Sequence, residues 1–218
     1  SFLRALAYFD LVRFFGDVPL LLRPLSISEA YQTGRESVPV VYEAIIQDLL
    51  VAEASLPSSY SGIELGKPTS GAAKSLLGKV FLTVKDYGKA EEKLQEVTTM
   101  GYKLLDNFED LFDYSKDEHH SEYIFDVEYE SGLGDLGSPF SNVFLPKSVG
   151  STADRYFGVV GGAEENNNPT MDLLNAYDEG DLRRDITVTD GRGFYDDEGV
   201  FHSFVQIETF SRKHMAPT

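Results

Sequence analysis

The sequence contains no cysteine and no tryptophan, and none of its apolar runs approaches 18 residues. Without cysteine, the chain forms no disulfide, offers no thiolate nucleophile and ligates no metal through sulfur. Without a long apolar run, no segment is predicted to cross a bilayer as a helix. The absences therefore exclude thiol enzymes, cysteine-ligated metal proteins and chains with a membrane-spanning helix. The hydrophobic fraction of 42% still suits a globular fold.

Basic residues are also scarce: 19 Lys and Arg face 36 Asp and Glu, which gives a formal charge of −17. Such a surface repels nucleic-acid phosphates. It also disfavours simple adsorption to an anionic membrane. We therefore expect no nucleic-acid partner, and we expect neutral or cationic ones.

The most regular stretch runs from Ser70 to Met100 and predicts two amphipathic helices joined by a tight turn. Ser70 is the predicted N-cap of the first helix. Apolar residues recur at helical spacing on one face of each helix, so that each needs a partner. They are Ala73, Leu76, Leu77, Val80, Phe81 and Val84 in the first helix, and Tyr87, Ala90, Leu94 and Val97 in the second.

The order of small and large residues in this hairpin is similar to a tetratricopeptide repeat. Gly78 and Ala90 allow the helices to approach closely, and Phe81 and Leu94 fill the space between them. Lys74 stands where an aromatic residue is often found, so the match is partial. An ordinary helical hairpin with a good core remains the alternative interpretation.

The chain before this hairpin is predicted to form an interrupted repeat. A first helix spans Phe2 to Phe15, with Leu3, Leu6, Ala7, Leu11 and Phe14 on one side. Gly16 and Pro19 end it. A second helix spans Pro39 to Ala54, capped by Ser37, with Val41, Ile45, Leu49, Ala52 and Leu56 along one face. The connection between these helices is predicted to be polar loop.

The second half changes character. Residues Glu122 to Glu130 alternate as in a half-buried strand. A loop-rich stretch covers 131–168, which is typical of binding function or disorder. A short helix is predicted at Thr170 to Tyr177 and a strand at Ile186 to Thr189. A hairpin is predicted from Phe194 to Phe210, with Asp196 to Gly199 at its turn.

The expected fold class is therefore mainly α: tetratricopeptide-type helical repeats in an α/α superhelix, with an irregular loop-rich region that carries short β-strands. Residues 1–105 are expected to form the repeat part and 106–218 the loop and strand part that binds ligand, within one unit, 1–218. Since Ser1 to Leu6 resembles the inside of a helix and no closing element precedes Thr218, the chain is expected to be a fragment.

Several stretches together resemble the SusD/RagB family. They are Phe2-Leu3-Arg4-Ala5 with Tyr8-Phe9, Leu11-Val12 and Phe15-Gly16-Asp17-Val18-Pro19-Leu20; Val41-Tyr42, Ile45, Asp48-Leu49, Ala52 and Leu56-Pro57; Pro68-Thr69, Ala72-Ala73, Leu76-Leu77, Lys79-Val80, Asp86-Tyr87 and Lys89-Ala90; Glu122-Tyr123-Ile124-Phe125; and Asn168-Pro169-Thr170, Leu173-Leu174, Tyr177, Asp181 and Arg183-Arg184-Asp185. The resemblance covers most of the chain in the right order.

The resemblance implies a cell-surface lipoprotein of the outer membrane of Bacteroidetes. Such proteins are not enzymes. They capture glycans, or peptides in some members, and cap a SusC-type TonB-dependent transporter. The family is more than twice as long as this chain, and its lipid-bearing N-terminal cysteine and its C-terminal repeats are not present here. Any membrane attachment is therefore expected only through an anchor outside this chain.

Other kinds of site are less well supported by the sequence. Asp117 to His120 with Glu122 offers metal-ligand types, but it lacks a helical i, i+4 pair, so a solvated loop is favoured. The acidic stretch at 196–199 lacks the remainder of a calcium loop. No pair of carboxylates is marked as a glycosidase site. We therefore predict no catalytic residue, no metal and no cofactor, while a protein-binding scaffold and a glycoside hydrolase remain alternatives.

Sugar binding needs aromatic faces for the C–H surfaces of the ring and polar groups for its hydroxyls. Aromatic residues in the loops are freer for this role than those in the repeats. The predicted ligand-binding residues are Tyr156, Phe157, Phe194, Tyr195 and Phe201. Tyr156 and Tyr195 are preferred because each has a hydroxyl and polar neighbours. The alternative is that these residues anchor long loops onto the helices.

Overall fold

A computed structural model describes residues 1–112, 119–127, 129, 143–144, 164, 166, 168–189, 193–195, 198–203 and 210–211. The chain forms two compact units. One consists of Ser1–Lys103 with Ser121–Val127, and the other of Leu104–His120 with Glu128–Thr218.

The first unit is a row of packed helices. Its elements are α1 (Phe2–Phe15), α2 (Ile27–Gln32), α3 (Val38–Ser55), a 3-10 helix (Gly62–Glu64), α4 (Ser70–Thr83) and α5 (Tyr87–Thr98). Helix α1 packs against α3, α3 against α4, and α4 against α5. The predicted class, mainly helical with paired helices, is confirmed.

The second unit has shorter elements. They are a 3-10 helix (Phe108–Phe112), α6 (Met171–Asn175), α7 (Arg183–Thr187), β1 (Val188–Thr189), β2 (Gly193–Tyr195), β3 (Phe201–Ser203) and β4 (Phe210–Ser211). The predicted strand at Ile186 to Thr189 is wrong in its first half, because α7 continues to Thr187.

The face of α3 predicted from the sequence is its buried face. Val41, Ile45, Leu49 and Ala52 are each 1% exposed or less, and Leu56 packs against the same core. This face lies between α1 and α4, because α3 contacts both helices. The helical spacing of these residues therefore identified the buried face of α3, although Val40, Leu50 and Val51 on the same helix are exposed.

Helix α1 has the predicted bounds, but the side grouped by the sequence faces mostly outward, and of its five residues Leu6 is the one packed against the core. Leu3 is 64% exposed and Phe14 is 76% exposed. The buried side holds Phe2, Ala5, Phe9 and Val12. Both sides of α1 are apolar, and periodicity alone does not tell which one faces the core.

The close approach predicted for the α4–α5 hairpin is confirmed. A Cβ atom built on Gly78 would lie 2.7 Å from the Leu94 side chain and 3.6 Å from the Ala90 carbonyl oxygen. A side chain at position 78 would therefore separate the helices. On the predicted face of α5, Ala90 and Val97 are buried, whereas Tyr87 is 62% exposed and Leu94 is 40% exposed.

An ion-pair network also connects these helices. Lys93 Nζ on α5 lies 3.0 Å from Glu53 Oε1 on α3 and 3.1 Å from Glu96 Oε1. Lys74 on α4 pairs with Glu96 as well. Burial alone would lower the pKa of Lys93, but its hydrogen bonds to Glu53 and Glu96 raise it. Lys74 therefore connects two helices electrostatically at the position where repeats often carry an aromatic residue.

Two helix caps differ from the sequence prediction. Ser70 is the first residue of α4, and the N-cap is Thr69, whose Oγ1 accepts from the Ala72 amide at 3.2 Å. Ser37 makes no side-chain cap on α3. Instead, Asp17 Oδ1 accepts from the Val38 amide at 2.9 Å. A carboxylate at the N-terminus of a helix also interacts favourably with the helix dipole.

The 16–37 connection is held against α1 and α3 and contains a helix that the sequence analysis missed. The Leu21 amide donates to the Tyr8 hydroxyl at 2.6 Å, and the Glu36 amide donates to the Val18 carbonyl at 2.9 Å. Its helix, α2, begins with a full capping box. This Ser-x-x-Glu signal was legible in the sequence.

The predicted strand at Glu122 to Glu130 is wrong over its described residues: 122–127 form turns and irregular backbone. Ile124 and Phe125, neighbours in sequence, both pack against the helical core, and the Phe125 ring lies 5.0 Å from that of Phe2. In a strand, these two side chains would point to opposite faces. The described residues of the first unit also contain no strand with which 122–127 could pair.

No helix within the described ranges is both long enough and apolar enough to cross a membrane.

The turn between α4 and α5 gives a first testable prediction. Lys85 has a φ of 66°, in the left-handed region that side chains disfavour. Lys85→Gly is expected to raise the free energy of unfolding by about 0.5 kcal/mol, because relief of strain outweighs the added freedom of the unfolded chain. Urea unfolding followed by circular dichroism would measure the change.

The matched control is Lys79→Gly, an exposed lysine inside α4. A glycine there is expected to lower the free energy of unfolding by about 1 kcal/mol. Equal destabilisation by both variants would contradict the assignment of strain to Lys85.

Candidate functional site

The predicted ligand residues fall into two groups in the structure. Tyr156 and Phe157 lie outside the described residues, so their role stays a prediction. Phe194 and Tyr195 lie in β2, and Phe201 lies in β3. The candidate site is therefore developed on this pair of strands.

Strands β2 and β3 form an antiparallel hairpin whose register pairs the predicted residues. Tyr195 is the partner of Phe201, and Phe194 is the partner of His202. Partner positions in an antiparallel pair share one face, and successive positions alternate. The register therefore assigns positions 195 and 201 to one face and positions 194 and 202 to the other.

His202, the partner of Phe194, was not among the ligand residues predicted from the sequence. Counting outward from the acidic turn at 196–199 would pair Phe194 with Phe201, whereas the observed register leaves five residues, 196–200, between the strands and pairs Phe194 with His202. Gly199 in that turn has a φ of 76°, a conformation that glycine adopts without strain.

A second pair of strands encloses the hairpin. Val188 pairs with Ser211, and Thr189 pairs with Phe210, also antiparallel. Since β1 precedes β2 and β4 follows β3, the two pairs are nested around one turn. Val188 is only 4% exposed, so the outer pair is anchored by a buried side chain. This outer pair flanks the hairpin in sequence and forms its base.

An ion pair organises the chain just before that base. Asp181 Oδ1 accepts from the Arg183 amide at 3.0 Å and from Arg183 Nε at 2.9 Å, while Oδ2 accepts from Nη2 at 2.6 Å. Arg184 pairs with Asp185 at 3.0 Å. Each of the two arginines is therefore paired with a neighbouring carboxylate.

The Arg183 side-chain hydrogen bonds, aided by its amide, lower the pKa of Asp181 to about 2. A carboxylate that stays ionised to that pH is a poor proton donor at neutral pH. This pair therefore positions the backbone entering α7 and β1, and it does not suit acid catalysis.

The ion pair gives a second prediction. Arg183→Gln is expected to move the titration midpoint of the Asp181 carboxyl from about 2 towards its ordinary value of 3.8, because the bonds to the ionised form are lost. Carbon-13 NMR titration of the carboxyl carbon would measure both midpoints.

Arg184→Gln is the control, since Arg184 bonds Asp185 instead. An unchanged midpoint in Arg183→Gln, or an equal shift in the control, would contradict this assignment. The lowered pKa of Asp181 also stabilises the folded state. This stabilisation is present above pH 3.8 and is lost as the pH falls through about 2.

Among the residues that the structure describes, no group of three or more His, Asp or Glu side chains is placed to hold a metal ion. Asp117, Glu118, Asp196 and Asp197, which belong to the two acidic stretches weighed above, lie outside those residues. The site consequently rests on the aromatic hairpin.

Comparison with known proteins finds a similarity to SusD-like proteins. Residues 1–82 match a SusD-like family model described as "Starch-binding associating with outer membrane". The "SusD-like protein P2" of Formosa agariphila is 28% identical over 229 residues, covering 99% of this chain and 43% of the relative. The chain spans less than half the length of the curated relatives that it matches.

Solved structures agree over the whole chain. A "Laminarin binding SusD-like protein" superposes with a TM-score of 0.79 at 30% identity, covering 98% of this chain and 50% of that one. "Surface glycan-binding protein A from Bacteroides fluxus" superposes with a TM-score of 0.78 at 25% identity, covering 100% and 46%. The resemblance predicted from the sequence is confirmed: over most of its length the chain is similar to SusD-like proteins.

Proposed function

We propose that this chain is part of a non-catalytic surface protein that captures oligosaccharides. The observation that carries the proposal is the likeness, at 30% identity over 98% of the chain, to a SusD-like protein named as laminarin-binding. The helical unit serves as scaffold in this proposal, and the second unit carries the ligand residues, as predicted for 106–218.

The hairpin supports this role through its pattern of residues. Positions 195 and 201 are partners, which places a tyrosine and a phenylalanine side by side in the register. Two adjacent aromatic residues offer the apolar area that a sugar ring covers, and a tyrosine hydroxyl adds a directed hydrogen bond. We assign the ligand contact first to Tyr195 and Phe201, with Phe194, Tyr156 and Phe157 as further ligand residues.

The proposal extends to location and partner. The matched family description names the outer membrane. We place the protein on the cell surface, attached through a lipid anchor outside residues 1–218, and we assign delivery of the captured sugar to a SusC-type TonB-dependent transporter. A formal charge of −17 is compatible with neutral sugars as ligands.

The test is binding without turnover. Laminarin and starch, the two glycans named among the relatives and the family, would be titrated calorimetrically against the chain. The same mixtures would then be incubated overnight and analysed for shortened oligosaccharides. Binding with no new products supports the proposal. Release of products would contradict it, and binding of a peptide library in place of both glycans would favour a scaffold.

Tyr195→Ala gives a third prediction: affinity for the bound glycan is expected to fall about tenfold, because one aromatic contact of about 1.4 kcal/mol is lost. Tyr87→Ala is the control, since Tyr87 is exposed on α5 in the helical unit. Calorimetry on both variants decides. Equal affinities for Tyr195→Ala and the parent chain would remove the hairpin from the ligand site.

A further inference from the structure

Charge is divided unequally between the two units of the chain. The first unit, 1–103 with 121–127, contains 11 basic and 14 acidic residues, which gives a formal charge of −3. The second unit, 104–120 with 128–218, contains 8 basic and 22 acidic residues, which gives −14. The negative field of the chain therefore arises mainly in the unit that carries the candidate ligand residues.

The arginines of the second unit are already engaged where the structure describes them. Arg183 pairs with Asp181 at 2.6 Å, and Arg184 pairs with Asp185 at 3.0 Å. The described part of this unit contains no other lysine or arginine. Proteins usually bind a carboxylate or another oxyanion on a ligand through a guanidinium or an ammonium group. An anionic sugar would therefore have to compete with Asp181 and Asp185 for both of these arginines.

Exposed carboxylates lie in sequence on both sides of the two inner strands. Asp178 and Glu179 precede α7 and β1, and Glu198 lies in the turn between β2 and β3. Glu198 is three positions from both Tyr195 and Phe201. Three residues of extended chain span at most about 11 Å, which is close to the Debye length of about 10 Å at about 0.1 M salt. The charge of Glu198 therefore acts on a ligand bound at the aromatic pair.

The aromatic pair itself does not discriminate by charge. Tyr195 and Phe201 are partners in the register, and their contribution to sugar binding is apolar contact area. A pyranose ring offers nearly the same C–H surface whether its C6 carbon is a hydroxymethyl or a carboxylate group. Discrimination between such sugars consequently falls to the surrounding charges, which attract or repel the substituent.

We infer that the ligand site selects by charge: it accepts neutral oligosaccharides and rejects those that carry uronate or sulfate groups. This selection rests on the proposed function, because it concerns the same hairpin site. The aromatic pair provides the affinity for the ring, and the carboxylates of the second unit repel an anionic competitor. Specificity of this kind comes from a repulsive element placed against the wrong ligand.

Matched glycans that differ in charge alone provide the test. Laminarin and starch would each be compared with a form whose C6 hydroxymethyl groups are oxidised to carboxylates, which keeps the backbone and its linkages. Calorimetric titrations of the 218-residue chain at neutral pH would be run at about 20 mM and about 500 mM sodium chloride. Over that range the Debye length falls from about 20 Å to about 4 Å.

We expect the oxidised form to bind at least about tenfold more weakly than the neutral form at low salt, and less than about threefold more weakly at high salt. Equal or tighter binding of the oxidised forms at low salt would overturn charge selection and leave glycan capture intact. A gap that does not narrow with salt would also overturn it, because the cause would then be shape. Binding of neither form of either glycan would contradict the proposed function, and charge selection with it.

Glu198→Lys assigns the repulsion to the second unit. It is expected to narrow the low-salt gap between the two forms about fourfold, because a nearby repulsion becomes an attraction. Glu198→Gln keeps the shape of the side chain and is expected to narrow the gap about twofold, so it serves if lysine disturbs the turn. Glu43→Lys is the matched control, since Glu43 is an exposed carboxylate on α3 and the change in net charge is the same. An equal effect of Glu43→Lys, or no effect of either change at Glu198, would overturn the assignment to the second unit.

Discussion

Leu77→Ala is expected to lower the free energy of unfolding of the helical unit by about 3 kcal/mol. Leu77 has no exposed surface and lies near the middle of α4, which packs against α3 on one side and α5 on the other. Removing three carbon atoms there leaves a cavity that two packed helices cannot close, so a cavity penalty adds to the lost burial. Urea unfolding monitored by far-ultraviolet circular dichroism would measure the loss.

Leu82→Ala is the matched control, since it makes the same chemical change on the same helix at a residue 52% exposed. Its expected loss is under about 1 kcal/mol. The comparison isolates burial from helix propensity, because both substitutions replace leucine by alanine inside α4. Equal losses for the two variants would show that α4 does not pack as described.

The central helices could be predicted well from the sequence, and the reason is geometric. Helix α3 also exposes Val40, Leu50 and Val51, but its apolar residues at 41, 45, 49, 52 and 56 recur at helical spacing, and this periodicity identified the buried face. Gly78 and Ala90 likewise predicted the close approach of α4 and α5, because small residues at facing positions leave room for two helices to come together. In the structure, the predicted face of α3 is the face that packs against α1 and α4.

Helix α1 shows where this reasoning stops. Its apolar residues occupy both sides, and the sequence assigns them to sides without saying which side meets α3. The N-terminus of α3 shows a second limit of prediction from the sequence. Its first amide is capped by Asp17, which lies 21 positions before Val38, and no local sequence rule covers that separation. The stretch at 122–127 shows a third, since alternation indicates a strand only when another strand is available to pair.

For the candidate site, the turn residues at 196–199 were the most informative part of the sequence. The acidic stretch ending in Gly199 predicted a hairpin but not its register: counting from a turn at 196–199 places Tyr195 opposite Val200, whereas the structure pairs Tyr195 with Phe201. Sequence reasoning did not identify the nested outer pair, because β1 and β4 are each two residues long and are separated by 20 residues. The ligand roles of Tyr156 and Phe157 stay predictions, since loop conformations depend on contacts that no local pattern specifies.

The second large effect is expected at Arg4, whose side chain connects three parts of the helical unit. Nε donates to Asp48 Oδ2 at 2.6 Å and Nη2 donates to Oδ1 at 2.7 Å, a bidentate pair between α1 and α3. Nη1 donates to the Leu22 carbonyl at 2.5 Å in the 16–37 connection. The hydrogen bonds to Asp48 raise the pKa of Arg4, so the guanidinium remains charged at every pH at which the protein is folded.

Arg4→Leu is expected to lower the free energy of unfolding by about 2 kcal/mol, since it leaves Asp48 as an uncompensated charge whose side chain is only 11% exposed. A fully buried pair would cost about 3–5 kcal/mol, but Arg4 keeps 37% of its side chain in solvent, which weakens the pair. Limited proteolysis of the 16–37 connection should also quicken, because the bond to Leu22 is lost.

The double variant Arg4→Leu with Asp48→Leu separates these effects. Replacing both partners by apolar side chains removes the stranded charge, so most of the lost stability is expected to return. Faster cleavage at 16–37 is expected to persist, because the double variant still lacks the donor to Leu22. If the double variant were as unstable as Arg4→Leu, the cost would lie in lost packing of the arginine stem, and the unpaired carboxylate would not be its cause.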